Sequence, residues 1–530
     1  MVSSSRQVLF VIAVSLGLFA AVGAGIAVRN WILAPPIGGT VSDSSYSARE
    51  VNNLKPSVDV AAQTLLLIPN DFSETVKLID PNPANAVQMG FSVAISGDTA
   101  IVGAPGKANN RGSAFICVRS GNTWTLQQEI TGTDSTSDDH FGWSVSISGE
   151  TAVVGAYDLN ENDLGAAYVF VRNGLTWTQQ QKITPTGGAV TDQFGSTVSI
   201  SGETLLVGAF GKDNSRGAAY VYTRSAGLWT QQQILIAGDG VAGDEFGWSL
   251  AISGERAILG APGDDSFRGG AYLFVRNGTS WSQTAKITST DGSSFDRFGY
   301  SVAVDGSYAL IGAPQDSESG IITGSGYVFA ESGGAWQQQK RILANDRAAN
   351  DKFGSSVAIL GLSAVIGANG DDVGTNIDQG SAYVFTRNGG DWTQAQKILG
   401  LDGLPGDNLG VSVGLAPGVL IVGSYLDDIS TFLDSGSAYT YTAPAPATVI
   451  VSGRILTPSG VGLRSAQVRI TDVNLGTDTS TTTSTLGYFQ FQVTAGRDYV
   501  INVNSKRYRF STSPITVTGD VTNIELVGLE

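Results

Sequence analysis

The 530 residues predict an all-β chain, a seven-bladed β-propeller followed by a small β-sandwich, with an N-terminal transmembrane helix or signal segment ahead of both. Three observations lead there: landmarks that recur seven times at fixed spacing, a repeat unit that reads as four strands, and a leading segment that supplies what the last copy lacks. The landmarks are clearest between Phe141 and Ile183. The interval from Phe141 to Gly155 is kept without a slip from Met89 to Gly103, Phe194 to Gly208, Phe246 to Gly260, Phe298 to Gly312, Phe353 to Gly367 and Leu409 to Gly423. The interval from Gly165 to Trp177 is likewise kept after Gly112, Gly217, Gly269, Gly324 and Gly380, and every such Trp precedes its next aromatic landmark by the distance that separates Trp124 from Phe141. Only the segment between the second and third landmarks varies, shortest between Gly103 and Gly112 and longest between Gly367 and Gly380. Self-similarity with a period of roughly 50 residues marks a propeller or a solenoid.

The content of the unit decides between them. Trp143 to Ile147 alternates, Ala152 to Ala156 is a short apolar run, and Ala167 to Val171 and Trp177 to Ile183 are rich in aromatic and β-branched residues, so the unit holds four strands and no helix. Ser148-Gly149 and Asn173-Gly174 supply tight hairpin turns, because Gly and Asn tolerate positive φ. Four antiparallel strands make one blade. The seventh copy stops at Tyr439-Thr440-Tyr441 without a fourth strand, while Phe72 stands as far ahead of Met89 as each Trp stands ahead of its next aromatic. The first segment is therefore expected to close the ring as the missing outer strand, removing an edge that would template aggregation.

Phe246-Gly247 with Gly260-Ala261-Pro262, and Phe298-Gly299 with Gly312-Ala313-Pro314, resemble the FG-GAP repeats of bacterial surface proteins and, more distantly, the integrin alpha-subunit propeller. The resemblance covers roughly residues 71 to 443 and implies extracellular binding. Other copies depart from it: Tyr157, Phe210, Asn369 and Tyr425 replace the Pro, and Met89 and Leu409 replace the Phe. Calcium-binding integrin-type repeats carry an oxygen-rich loop between the two halves of the motif. Here that place holds turns such as Ser148-Gly149-Glu150, so the resemblance does not carry calcium to it.

In chain order, residues 1–34 contain an uncharged run from Val8 to Val28, long enough to span a bilayer as an anchor, with a signal peptide cleaved after Ala24 as the alternative. Either reading exports the remainder of the chain. Residues 35–70 read as a tether, 71–443 as the propeller and 444–447, Pro-rich, as a stiff linker. In 448–530, five β-patterned runs (449–455, 467–471, 488–493, 499–503 and 515–517) form the sandwich. The stretches VSGRILTPSGVGLRSAQVRI and STLGYFQFQV resemble carboxypeptidase regulatory-like domains, which implies a transthyretin-like accessory module. Arg454 is the only cation in its first strand, so no Lys-Asn isopeptide link is expected.

A single Cys excludes an internal disulfide, and Cys117 falls where other copies hold a buried aromatic. The one His, His140, has Gln193, Glu245, Arg297, Lys352 and Asn408 at its equivalent places, a scatter that reads as a solvated position. This removes Ser-His-Asp, Cys-His and His-bearing zinc chemistry. Asp139, Asp192, Asp244, Asp296, Asp351 and Asp407 recur two residues before the aromatic and are expected to hold the turn that enters the strand. The loops joining strands two to three and four to one emerge on one face, where function is expected. There lie Asp158, Asp163, Asp213, Phe267 and Tyr425, and the acids Asp264, Asp265, Asp371, Asp372, Asp378, Asp427, Asp428 and Asp434. Oxygen-only clustering suits calcium, whereas the lack of a spaced ligand series suits a solvated acidic rim; both readings stand, and no cofactor is required. The net charge of −16 disfavours nucleic acid.

Three functions remain open. The first is a non-catalytic exported protein that binds a protein or matrix partner in adhesion or scaffolding. The second is a glycan-binding module of a cell-envelope system, which needs exposed aromatic platforms. With Phe267 and Tyr425 as the few loop aromatics, the partner reading leads. The third is a hydrolase or lyase, whose sign would be an isolated carboxylate pair in a central funnel.

Overall fold

The computed structural model describes residues 72–529 apart from 158–163, 319, 389–390, 444–447, 474–477, 495–496 and 518–519. The expected membrane segment, tether and linker, and with them Asp158 and Asp163, lie outside the described residues.

Between 72 and 443 the described residues form seven four-stranded antiparallel sheets, each built from four strands in the predicted order. In the second blade these are Phe141–Ser148, Thr151–Ala156, Ala166–Asn173 and Thr176–Ile183. In the seventh they are Val413–Ala416, Val419–Ser424, Ser437–Thr442 and, from the other end of the chain, Ser73–Ile79. Ser73 pairs with Thr442 and Lys77 with Tyr439, so the ring is closed by a ladder, as the spacing of Phe72 predicts. Phe72 also behaves as the Trp it replaces. Its backbone N–H and carbonyl are clasped by the Gln396 amide at 2.8 and 2.7 Å, as Gln128 clasps Trp177 at 2.7 and 2.8 Å.

The apolar core lies between neighbouring blades. One cluster joins Ile101, Ile116 and Ile130 of the first blade to Phe141, Val154, Tyr168 and Trp177 of the second. Phe141 is fully buried and meets Tyr168 edge-on with ring centroids 5.3 Å apart, a favourable aromatic geometry. Nearer the axis, packing is set by glycine. A Cβ on Gly103 would lie 2.0 Å from the Gly142 carbonyl oxygen of the next blade, and Gly142 has φ +96. Only Gly lets the two backbones come this close.

That approach leaves room for one hydrogen bond per blade, made by the residue three places after the aromatic landmark. Ser92, Ser144, Thr197, Ser249, Ser301, Ser356 and Ser412 donate their hydroxyls to the carbonyls of Gly142, Gly195, Gly247, Gly299, Gly354, Gly410 and Gly90, at 2.7 to 3.1 Å. The last bond runs from the seventh blade to the first, so seven hydroxyls form an unbroken ring.

The C-terminal described residues form two sheets. Tyr488–Thr494, Thr448–Leu456 and Val521–Val527 make one, the last pair parallel. Asp478–Thr482, Gln467–Asp472, Arg497–Asn504 and Ser513–Val517 make the other. Val451, Ile455, Val468, Ile470, Phe489, Phe491 and Ile501 share one core. Each of the five expected runs lies within or overlaps a strand. Asp478–Thr482 and Val521–Val527 are absent from those runs: the first is polar Thr and Ser with no hydrophobic signal, and the second breaks alternation at Thr522-Asn523.

Candidate hub site on the loop face

The loops between strands two and three bond to the loops that lead into the next blade. The N–H groups of His140, Glu245, Arg297 and Asn408 donate to the carbonyls of Asn110, Ser215, Phe267 and Asp378. Both loop families therefore share one face. The Asp two residues before the aromatic braces the entry turn, accepting the backbone N–H three residues upstream of it, at 2.7 Å for Asp139 and Asp244 and 2.6 Å for Asp407. Burial pushes the Asp407 carboxyl up to about 7; the Leu404 N–H pulls it down, and nearby Asp427 pushes it further up.

The acids four residues beyond the Gly-Ala glycine are not solvated. Asp264, Asp371 and Asp427 are buried, and a lysine from the outer strand reaches each: Lys286 at 2.7 Å, Lys397 at 2.6 Å and Lys77 at 2.8 Å. Asp371 also accepts from the Ser381 and Tyr383 hydroxyls, and Asp427 from those of Ser437 and Tyr439. Each lysine meets a second carboxylate as well, Asp239, Asp346 or Asp402. The first blade holds the same pair with its charges exchanged, Lys107 in the loop and Glu129 on the strand, 3.0 Å apart. For these three acids the expectation of a solvated rim is corrected: each carboxylate is buried against an ammonium, and burial of a charge requires such a partner.

Their neighbours have different tasks. Asp372 and Asp428 face solvent and accept the backbone N–H of Asp378 and Asp434, each at 2.9 Å, closing the longer loops of blades six and seven. Asp378 and Asp434 are left-handed there, with φ +52 and +53. Asp213 and Asp265 belong to single left-handed turns, with φ +52 and +47, a conformation that Asp and Asn tolerate best. Among the described residues no three His, Cys, Asp or Glu side chains converge as a metal site.

A concave feature of this face is the hub, a cavity of about 890 Å³ on the ring axis, lined by inner-strand residues of all seven blades. The hydroxyl ring lines it, and just above stand the residues two places after the aromatic landmark: Phe91, Trp143, Ser196, Trp248, Tyr300, Ser355 and Val411. Tyr157 and Phe210, where the Pro of the motif is replaced, complete the wall. Together with Tyr425 these rings form an unbroken chain. Successive centroid distances are 5.5 Å from Tyr425 to Phe91, then 4.5 Å to Trp143, 5.1 Å to Tyr157, 6.4 Å to Phe210, 4.7 Å to Trp248 and 5.6 Å to Tyr300. The opposite arc, from blades five and six, carries the polar side chains Gln315, Asn350, Lys352, Ser355 and Asn369 beside Pro314 and Ile322. Two buried acceptors at the hub, the Ser196 hydroxyl and the Asn369 amide oxygen, have no hydrogen-bond partner in the protein.

The residue before each aromatic landmark has positive φ in all seven blades, between +52 and +60. His140, expected in solvent, is 7% exposed: its Nδ1 lies 2.7 Å from the Asp138 carbonyl and its ring stands edge-on to Trp143. What the seven places share is this backbone conformation; their exposure differs, from buried His140 to exposed Lys352. Beside it, burial raises the Glu245 carboxyl and the Tyr300 phenol above their usual ranges, and Arg297 draws both back down. Cys117 is buried in the core of the first blade, its thiol pushed up to about 12 by burial.

With this geometry in view, the FG-GAP repeat profile matches residues 72–117, 124–170, 177–222, 229–274, 281–329, 336–385 and 392–441, well over half of the chain. The chain belongs to the FG-GAP repeat family. Each FG-GAP match opens on the outer strand of one blade and ends on the third strand of the next, so the family unit straddles two blades and seven units close the ring. No curated protein matches the chain. Among solved structures, a periplasmic gluconolactonase of Pseudomonas aeruginosa, PpgL, is similar with a TM-score of 0.42 and 15% identity, over 61% of this chain and 87% of that one, too distant to bear on function.

Proposed function

We propose that this FG-GAP protein is an exported, non-catalytic glycan-binding module whose site is the hub of the loop face. The observation that carries the reading is the continuous aromatic arc of the hub cavity, facing a polar arc of amides, hydroxyls and one lysine. Sugar rings present an apolar face and a polar edge, and a cavity with both kinds of wall matches them. The sequence favoured a protein or matrix partner because few loop aromatics were legible; the platforms come from the mouth of the inner strands together with Tyr157, Phe210 and Tyr425 just beyond the second strands. A non-catalytic role is supported by the lining itself, since among the described residues no carboxylate, His or Cys lines the cavity. The proposal requires no cofactor. The C-terminal pair of sheets is proposed as a transthyretin-like, carboxypeptidase regulatory-like spacer, and residues 8–28 as the membrane anchor or export signal.

The test is capture on a glycan array by the full chain and by a Trp248→Ser variant, Ser being the residue blades three and six carry at that place. Retention by wild type and loss by the variant is expected; equal retention by both sinks the hub as the site. A second reading, a protein or matrix partner, is favoured by an apolar shoulder on blades six and seven, where Ile377, Leu401, Leu404 and Leu433 are 65%, 86%, 52% and 59% exposed. Cutting those loops to the length of the blade-three loop would abolish partner capture and spare glycan retention.

A further inference from the structure

Two phenylalanines beside the hub occupy backbone positions where phenylalanine is costly. Phe267 has φ +63 and Phe295 φ +75, the left-handed region that bulky side chains avoid. The fold imposes that conformation, for the places equivalent to Phe295 include Asp138, Gly243, Asn350 and Gly406, and those equivalent to Phe267 include Asn110 and Ser215, all with positive φ. Small or Asx residues meet the demand cheaply elsewhere; the junction of blades four and five meets it with two aromatic rings. The rings stack with centroids 5.9 Å apart and planes 12° from parallel, and Phe295 is left 63% exposed. Neither strain nor exposure of this kind helps the fold.

Charge continues the pattern. The Arg297 guanidinium lies 5.2 Å over the Phe267 ring and, through Tyr300 and Glu245, borders the hub. Lys352 lines the hub from the polar arc and is exposed. Most basic side chains of the propeller are held in ion pairs, yet among the described residues neither Arg297 nor Lys352 is in one. In a chain of net charge −16, two cations outside any ion pair beside an aromatic wall complement an anion that also has an apolar face.

We infer that the hub site extends outward over the junction of blades four and five and takes an acidic glycan chain, with a sugar face on the Phe267 and Phe295 stack and sugar carboxylates on Arg297 and Lys352. This rests on the glycan reading of the hub and adds the charge of the ligand and its path. The test is calorimetric titration of the full chain with galacturonate, guluronate and glucuronate tetramers, each beside its methyl ester, which keeps the shape and removes the charge. At least one acid tetramer is expected to bind more tightly than its ester. Arg297→Gln and Lys352→Gln, each substituting an amide, should weaken the acid form about tenfold and leave the ester unchanged, the loss of one charge-assisted hydrogen bond. Phe295→Gly should weaken binding while raising the melting temperature, because the strained ring is removed. Esters and acids bound equally would overturn the acidic ligand and leave the hub reading standing. No glycan bound by wild type would overturn both. A lower melting temperature with unchanged affinity in Phe295→Gly would show the stack to be structural and remove the outward path.

Discussion

Two adjacent residues of the inner strand behave differently around the ring. The third place after the aromatic landmark is Ser or Thr in all seven blades and its hydroxyl always bonds the next blade. The second place is Phe, Trp, Ser, Trp, Tyr, Ser and Val in turn. Seven-fold agreement at the base of the hub marks what closure of the ring demands. Disagreement one residue away, at the mouth, marks freedom from that demand, and this freedom built an arc with an aromatic and a polar side. A propeller hub is thus a repeated scaffold carrying an unrepeated site.

The comparison breaks most severely if the repeated part is dispensable. Deleting residues 72–79 strips the outer strand from blade seven and should abolish cooperative melting, measured by calorimetry; an unchanged transition would mean that the ring does not need its closure. Next in size is the latch of the outer strand. Asp371→Ala leaves Lys397 with a single carboxylate partner and should cost roughly 2 to 3 kcal/mol in denaturant melts, less than the about 3 to 5 of a fully buried pair because Lys397 keeps some exposure. Glycan capture by the surviving folded protein should not change.

A smaller effect is electrostatic. The folded-state Asp407 carboxyl titrates near 7, above its unfolded range, so the folded chain holds a proton that the unfolded chain has released. This contribution is complete below about pH 4 and is lost as the pH rises through 7. Asp407→Asn, whose side-chain oxygen still accepts the Leu404 N–H, should flatten stability against pH across that window; an unaltered slope would place the titration elsewhere. Smallest of all is the effect of metal. Chelation should leave the melting temperature where it was, because lysines already sit on the carboxylates of Asp264, Asp371 and Asp427. A fall of several degrees would restore calcium to the loops.

The ring was legible because closure is written as distance along the chain. The intervals around Phe72 and Met89 give the borrowed strand without any knowledge of side-chain direction. The latch was legible in principle, since Lys107 with Glu129 and Asp264 with Lys286 exchange sign at matched repeat positions, a covariation that single loops viewed alone conceal. The mouth was not. Trp143 and Trp248 sit in strands whose alternation says only that they face one side, and whether that side is a neighbour or a cavity depends on the curvature of the whole ring. The same blindness misplaced His140, whose variable identity looked like solvation when its backbone was the constrained quantity.

The division between ring and mouth is tested most directly by two neighbouring substitutions, Trp143→Ser and Ser144→Ala, each measured for melting temperature and for glycan affinity. Trp143→Ser should lose the ligand while the ring still melts cooperatively, whereas Ser144→Ala should lose about 1 kcal/mol of stability and keep the ligand. The reverse assignment, or loss of both properties in both variants, would contradict a hub whose base serves the fold and whose mouth serves binding.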